Sequence, residues 1–129
     1  MNFQPFSLSA DQRFAVFPDQ KTTVQVWDLH KQRVAYTLKG HTAPVVRTTL
    51  TGNGRYLLTL DVSGNSRLTS LPDLKLLRSE ASPPHKWLTY GLIGAEPPMA
   101  LRGSADGVLE LFNGASGKVM RSWKSSELP

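Results

Sequence analysis

The chain has 129 residues, 40% hydrophobic and 19% charged, with 15 Lys and Arg against 10 Asp and Glu for a net charge of +5. That length suits one domain, the apolar fraction excludes wholesale disorder, and no apolar run approaches the ~18 residues of a membrane span. Zero cysteines exclude disulfides, thiolate metal sites and thiol catalysis, and fit a reducing compartment, so a cytoplasmic location is expected.

Residues 1–15 lack a basic start and a continuous apolar segment, so no secretory signal is expected. Phe14-Ala15-Val16-Phe17 then reads as a short buried strand, and Val24 to Leu29 alternates apolar with polar. Tyr56-Leu57-Leu58-Thr59-Leu60 and Met99-Ala100-Leu101 read as further buried strands, and Val108 to Phe112 alternates again. Turn signals separate these runs: Gly52-Asn53-Gly54, Ser63-Gly64-Asn65, Pro72-Asp73, Asp106-Gly107, Asn113-Gly114 and Ser116-Gly117. No window keeps a helical apolar face. The class is all-β, with antiparallel neighbours joined by tight turns.

The chain also repeats itself. Leu8 to Phe17 aligns with Leu50 to Thr59 at an offset of 42, pairing Arg13 with Arg55 and Phe14 with Tyr56. Val26-Trp27-Asp28-Leu29 falls on Leu68-Thr69-Ser70-Leu71 at the same offset, and Leu68 on Leu111 at 43. Three units of about this length, each with four short strands, match the period of a propeller blade.

Gly40-His41, the following Val45, Gly54, Val26-Trp27-Asp28 and the stretch from Ser104 to Asn113 carry a family resemblance. Through them the chain resembles the WD-repeat β-propeller family over nearly its whole length, with Phe112 for Trp and Asn113 for Asp in the last copy. The resemblance implies one unit over 1–129, made of three four-stranded antiparallel blades at about 3–39, 45–80 and 87–123. Linkers fall at Lys39–Pro44 and at Glu80–Lys86, and 124–129 is a polar tail. It also implies a structural signature of His41, Trp27, Asp28, Ser104, Asp106 and Phe112. In that family a His, a Ser or Thr, an Asp and a Trp form a buried hydrogen-bonded set in each repeat. Here Lys21 stands for the Asp of the first unit, while Ser63 and Thr69 stand for the Asp and Trp of the second. In the third, Pro83 stands for the His, with His85 two residues on as the nearest substitute. The expectation is that the set is lost piecemeal, at ~1 kcal/mol per missing bond.

Three blades cannot close a ring. The expectation is a partial propeller completed by a second copy or another chain, acting as a non-enzymatic interaction scaffold. The bare outer faces are expected to carry Val24, Val26 and Trp27 in unit one, and Val108, Leu109, Leu111 and Phe112 in unit three. On that reading Phe112→Asp would abolish assembly. No nucleophile elbow is present, Asp61 and Asp106 at strand ends are the carboxylates expected near a central channel, and no cofactor or metal is expected. Of the three histidines, His41 is expected to be structural and His30 solvated. Trp123, ending the outermost strand, is the expected interface anchor. Arg13, Arg55, Lys31, Arg33, Lys75 and Lys118, with His30, flank turns on one face of the blades, opposed by Asp11, Asp73 and Glu96. This basic rim suits an acidic protein surface or, as the alternative, nucleic acid. A six-blade homodimer binding a ligand or glycan is the other alternative, and would need like residues at equivalent positions of all three units. No membrane partner is expected.

Overall fold

The computed structural model describes residues 7–19, 22–81, 87–93 and 97–124. Among them are twelve strands and no helix: β1 (Ser7–Leu8), β2 (Phe14–Pro18), β3 (Val24–Asp28), β4 (Arg33–Leu38), β5 (Val45–Leu50), β6 (Tyr56–Asp61), β7 (Asn65–Ser70), β8 (Lys75–Ala81), β9 (Trp87–Ile93), β10 (Met99–Ser104), β11 (Val108–Asn113) and β12 (Val119–Lys124). They form three four-stranded antiparallel sheets, β1–β4, β5–β8 and β9–β12, each in simple sequence order. The alternating runs read from the sequence lie on β3 and β11, and the buried runs on β2, β6 and β10.

The repeat is visible in the register. Each sheet has a bulge between its third and fourth strands, at Val26/Trp27, Leu68/Thr69 and Leu111/Phe112. These sites keep the sequence offsets, so Trp27, Thr69 and Phe112 are structural equivalents. The first turns of sheets one and two are built alike. Ser9 Oγ donates to Asp11 Oδ1 at 2.6 Å, and the Arg13 and Phe14 N–H groups donate to Asp11 Oδ1 and Ser9 Oγ. Thr51, Asn53, Arg55 and Tyr56 repeat that pattern atom for atom. This is the side-chain-to-backbone bonding for which Ser, Thr, Asp and Asn are favoured in turns.

The first strands of successive sheets approach one another, β1 with β5 and β5 with β9, and the Ser7 hydroxyl donates to the Thr48 carbonyl at 2.6 Å. Sheet one buries Val16, Val24 and Val26 against Val45, Leu50, Leu57 and Leu71 of sheet two. The opposite face of sheet two sets Tyr56, Leu58 and Leu68 against Tyr90 and Leu92 of sheet three. Side chains alternate between the faces of a strand, so each sheet has one face toward its predecessor and one toward its successor.

Burial at equivalent positions shows which faces are uncovered. Leu57 and Ala100, on predecessor-facing sides, are 0% and 1% exposed, whereas their equivalent Ala15 in sheet one is half-buried. Val16 and Leu58, on successor-facing sides, are buried, whereas their equivalent Leu101 in sheet three is half-buried. The expectations for Val24, Val26, Phe112 and Val108, the last lying on the same side of its strand as Phe112, are corrected here. Val24 and Val26 fill the joint between sheets one and two, and Phe112, 5% exposed, fills that between sheets two and three. The residues left on the open faces are Ala15, Phe17 and Trp27 at one end, and Leu101, Leu109 and Leu111 at the other. Strand alternation decides this, because neighbours on one strand point opposite ways.

Candidate functional site

One position in the second strand of each blade, occupied by Phe17, Thr59 and Arg102, gathers a different side-chain set. In blade one Phe17 stacks on Trp27, with ring centroids 6.5 Å apart, and the Trp27 indole N–H donates to Gln25 Oε1 at 2.9 Å. The pair lies on the open face.

In blade two the set is polar. His41, 9% exposed, has Nδ1 2.8 Å from Asp61 Oδ2 and Nε2 2.7 Å from Thr59 Oγ1. An ionised carboxylate only accepts, so Nδ1 carries the proton toward Asp61. Asp61 Oδ1 accepts from the Ser63 and Asn65 N–H groups and from the Ser63 hydroxyl. Burial works against the Asp61 charge, but the Ser63, His41 and Asn65 bonds outweigh it and hold the carboxyl below the usual aspartate range. Two expectations are corrected. Asp61 does not line a channel: it is 2% exposed and tied to His41. The histidine, acid and hydroxyls of this blade also remain bonded to one another, with acid and hydroxyl in exchanged places, while the Trp position holds Thr69. Asp61-x-Ser63 occupies the positions of Ser104-x-Asp106, and the acid meets the histidine from the strand end instead of the turn. The Arg67 guanidinium lies over Gly40, whose φ of 130° and lack of a Cβ permit it, since a Cβ there would come within 2.5 Å of it.

In blade three Arg102 fills the position. Its guanidinium carbon lies 4.2 Å from the Trp87 ring centroid and 4.5 Å from that of Phe112. It donates to Glu110 Oε1 through Nε and Nη2, at 3.0 and 2.7 Å, and to Glu80 Oε2 through Nη1 at 2.9 Å. Burial opposes this charge, but Glu110 and Glu80 more than offset it and raise the proton affinity of Arg102. Ser104 and Asp106 bond each other in the adjoining turn, with Ser104 Oγ accepting from the Val108 N–H. His85 and Pro83 lie outside the described residues, as do Lys21 and Glu96. Sequence reasoning missed Arg102, Glu80, Glu110 and Arg67. Their signal was the repeat offset itself, which puts Arg102 where Thr59 and Phe17 stand.

The basic residues gather at one end of the blades. In each blade the third–fourth strand turn is tied to the first–second turn, by Leu29 N–H to Arg13 O, Leu71 N–H to Arg55 O and Gly114 N–H to Pro98 O. Arg13 and Arg55 therefore lie at the end that carries Lys31, Arg33, Lys75 and Lys118, whose side chains are exposed. Arg13 donates to Asp28 Oδ2 at 3.3 Å and rests 4.9 Å above the Phe14 ring. Asp28, 4% exposed, also accepts from the Lys31 N–H at 3.1 Å. Burial raises its carboxyl, and the Lys31 and Arg13 bonds overcome that to hold it below the usual range. Trp123 is half-buried at the far edge, opposite Leu109 in the ladder, with the Arg121 guanidinium carbon 5.5 Å from its ring centroid. Among the described residues no group of three or more His, Cys, Asp or Glu could hold a metal ion, and no helix is long and apolar enough to cross a membrane.

The fold thus defines a class: three consecutive blades of a β-propeller. No family model and no curated protein matches the sequence. Among solved structures the chain is similar to U3-55K, with a TM-score of 0.73 and 12% identity over 97% of this chain and 41% of that one. It is similar to the RRP9 WD40 repeats to the same degree, over 98% of this chain and 41% of the other. The hydrazine synthase of Kuenenia stuttgartiensis matches at a TM-score of 0.70 and 12% identity, over 94% of this chain and 35% of that one. The chain spans between 35% and 41% of the length of these structures, and at such identity the likeness is one of fold.

Proposed function

We propose that this chain is a non-catalytic protein-interaction scaffold: a run of WD-repeat-like blades that works inside a larger cytoplasmic assembly, its two open faces covered by further protein. One observation carries the reading. Ala15 and Leu101 are half-buried where their equivalents in the neighbouring blades are fully buried, so each terminal sheet has an apolar face shaped for a neighbour it does not meet. Repeat arrays need such faces capped to stay soluble, and apolar area buried at about 25 cal/mol per Å² favours capping. The polar clusters of blades two and three support a non-catalytic role, since His41, Asp61, Arg102 and Glu110 spend their bonds on strands and turns.

The equivalents Phe17, Thr59 and Arg102 differ in chemistry, as do Trp27, Thr69 and Phe112, which disfavours a symmetric ligand or glycan site. Size measurement at micromolar concentration tests the scaffold reading. The expected result is self-association or co-purification with a partner, and a stable, monodisperse monomer of 14.2 kDa would overturn it.

A further inference from the structure

The two alike turns of blades one and two present an arginine each at the same place. The backbone N–H and C=O of Arg13 and Arg55 close these turns in the same way. In blade three Pro98 stands at the equivalent place, and its carbonyl accepts the same bond, from Gly114. The Ala10 N–H donates to the Gly52 carbonyl at 2.9 Å, which sets the two turns side by side.

Between them runs a cleft. A hollow of about 280 Å³ has Arg13 and Arg55 on its rim and Phe14, Val26, Tyr36 and Leu71 as its apolar floor. It adjoins a second of about 320 Å³, which shares Arg13, Phe14 and Tyr36 and adds Lys31 and Arg33. The Arg13 guanidinium is held in place by Asp28 and the Phe14 ring, yet its side chain stays 42% exposed. Its Nη1 makes no protein bond among the described residues. A pre-oriented, part-exposed guanidinium with spare donors is suited to a carboxylate. The acids beside the cleft are already engaged: Asp28 by Arg13 and the Lys31 N–H, Asp73 by the Ser70 hydroxyl, and Asp11 by Ser9 and the Arg13 N–H.

We propose that this cleft binds a short acidic peptide segment of a partner protein, with a carboxylate on Arg13 and a neighbouring aromatic or large aliphatic side chain against Phe14, Tyr36 and Leu71. The proposal rests on the interaction-scaffold reading and gives that scaffold a second surface, separate from the open blade faces. An apolar floor between the cations favours a peptide over a nucleic-acid backbone, which needs a continuous basic track with stacking rings.

The test pans a display library of random heptapeptides against the immobilised full chain, with binding of a labelled uridine 20-mer measured alongside. Enriched peptides are expected to pair Asp or Glu with an adjacent aromatic or large aliphatic residue. Arg13→Glu should weaken capture of the enriched peptides by about tenfold or more. Arg33→Glu, at an exposed side chain outside any ion pair among the described residues, should weaken it severalfold without disturbing Asp28. Enriched peptides without acids, or no enrichment, would overturn the cleft. Capture untouched by Arg13→Glu and Arg33→Glu but lost with Leu109→Asp would place the peptides on the open faces, leaving the scaffold and removing the cleft. Arg13-dependent binding of the uridine strand, with no acidic peptide enriched, would overturn both.

Discussion

Asp61 shows how a single side chain carries structure across a repeat whose motif is scrambled. It accepts from His41 on the incoming loop and from Ser63 and Asn65 in its own turn, so one carboxylate fixes two connections. Asp61→Asn keeps the shape but loses the charge and one acceptor, and should cost about 2 kcal/mol at neutral pH in chemical denaturation. The sign of the pH effect follows from the depressed folded value. The stabilisation is fully present above the ordinary aspartate range near ~4 and is lost as pH falls through the lower folded value. The gap between wild type and Asp61→Asn should therefore narrow below about pH 4, and a gap constant from pH 7 to pH 3 would contradict this account. Arg102 plays the matching part in blade three. Arg102→Met would keep much of the bulk between Trp87 and Phe112 but take the cation from Glu110 and leave Glu80 with Arg78 alone, at 3.5 Å. A loss of about 3 kcal/mol is expected, read as a lower denaturation midpoint at unchanged slope.

At the scale of the strand and turn, the third–fourth strand turns repeat a left-handed residue at Gln32 (φ 55°), Leu74 (φ 57°) and Gly117 (φ 77°). Only the last is glycine. Leu74 pays for its Cβ in this conformation and is also 42% exposed, so it returns little burial for that strain. Leu74→Gly should stabilise the protein by up to about 1 kcal/mol, checked as a rise in thermal midpoint of a few degrees. Gly117→Leu in blade three should do the reverse, since a Cβ is strained at this φ, and the flexible Arg78 guanidinium, 2.1 Å from such a Cβ, would have to move aside.

For the whole molecule, the two ends and the two joints should answer differently to the same kind of change. Phe112→Asp puts a carboxylate among Leu58, Leu68 and Leu92 in the joint between blades two and three. It should unfold or severely destabilise the chain, by about 3 kcal/mol or more, which circular dichroism on heating would register. Leu109→Asp, at a side chain already 39% exposed on the open face, should leave the melting of the isolated chain within about 0.5 kcal/mol of wild type while weakening its association. Equal effects of the two substitutions on folding would mean that the open face is not open.

The sequence by itself determined the strands, the turns and the repeat. Alternation, glycine and Asx spacing, and the offsets of 42 and 43 are local or periodic facts, and backbone geometry turns such facts into β-structure with little need of context. It also brought Arg13 and Arg55 to equivalent places, because their turns are spelled alike as Ser-x-Asp-x-Arg-Phe and Thr-x-Asn-x-Arg-Tyr. What only the tertiary structure decided was which side chains meet across those turns and which face each residue takes. Ser63 stands at the repeat position of Asp106, and the spacing alone does not reveal that Asp61, at the end of the strand before it, holds the histidine. Phe112 and Leu109 sit on one strand three residues apart, and the pleat alone puts them on opposite sides. Arg102 and Glu110 face each other across one ladder, but Glu80 lies on another sheet, so its bond to Arg102 exists only once blade three has packed on blade two. Periodicity fixes what each strand is. Contacts between sheets depend on distances that no periodicity contains.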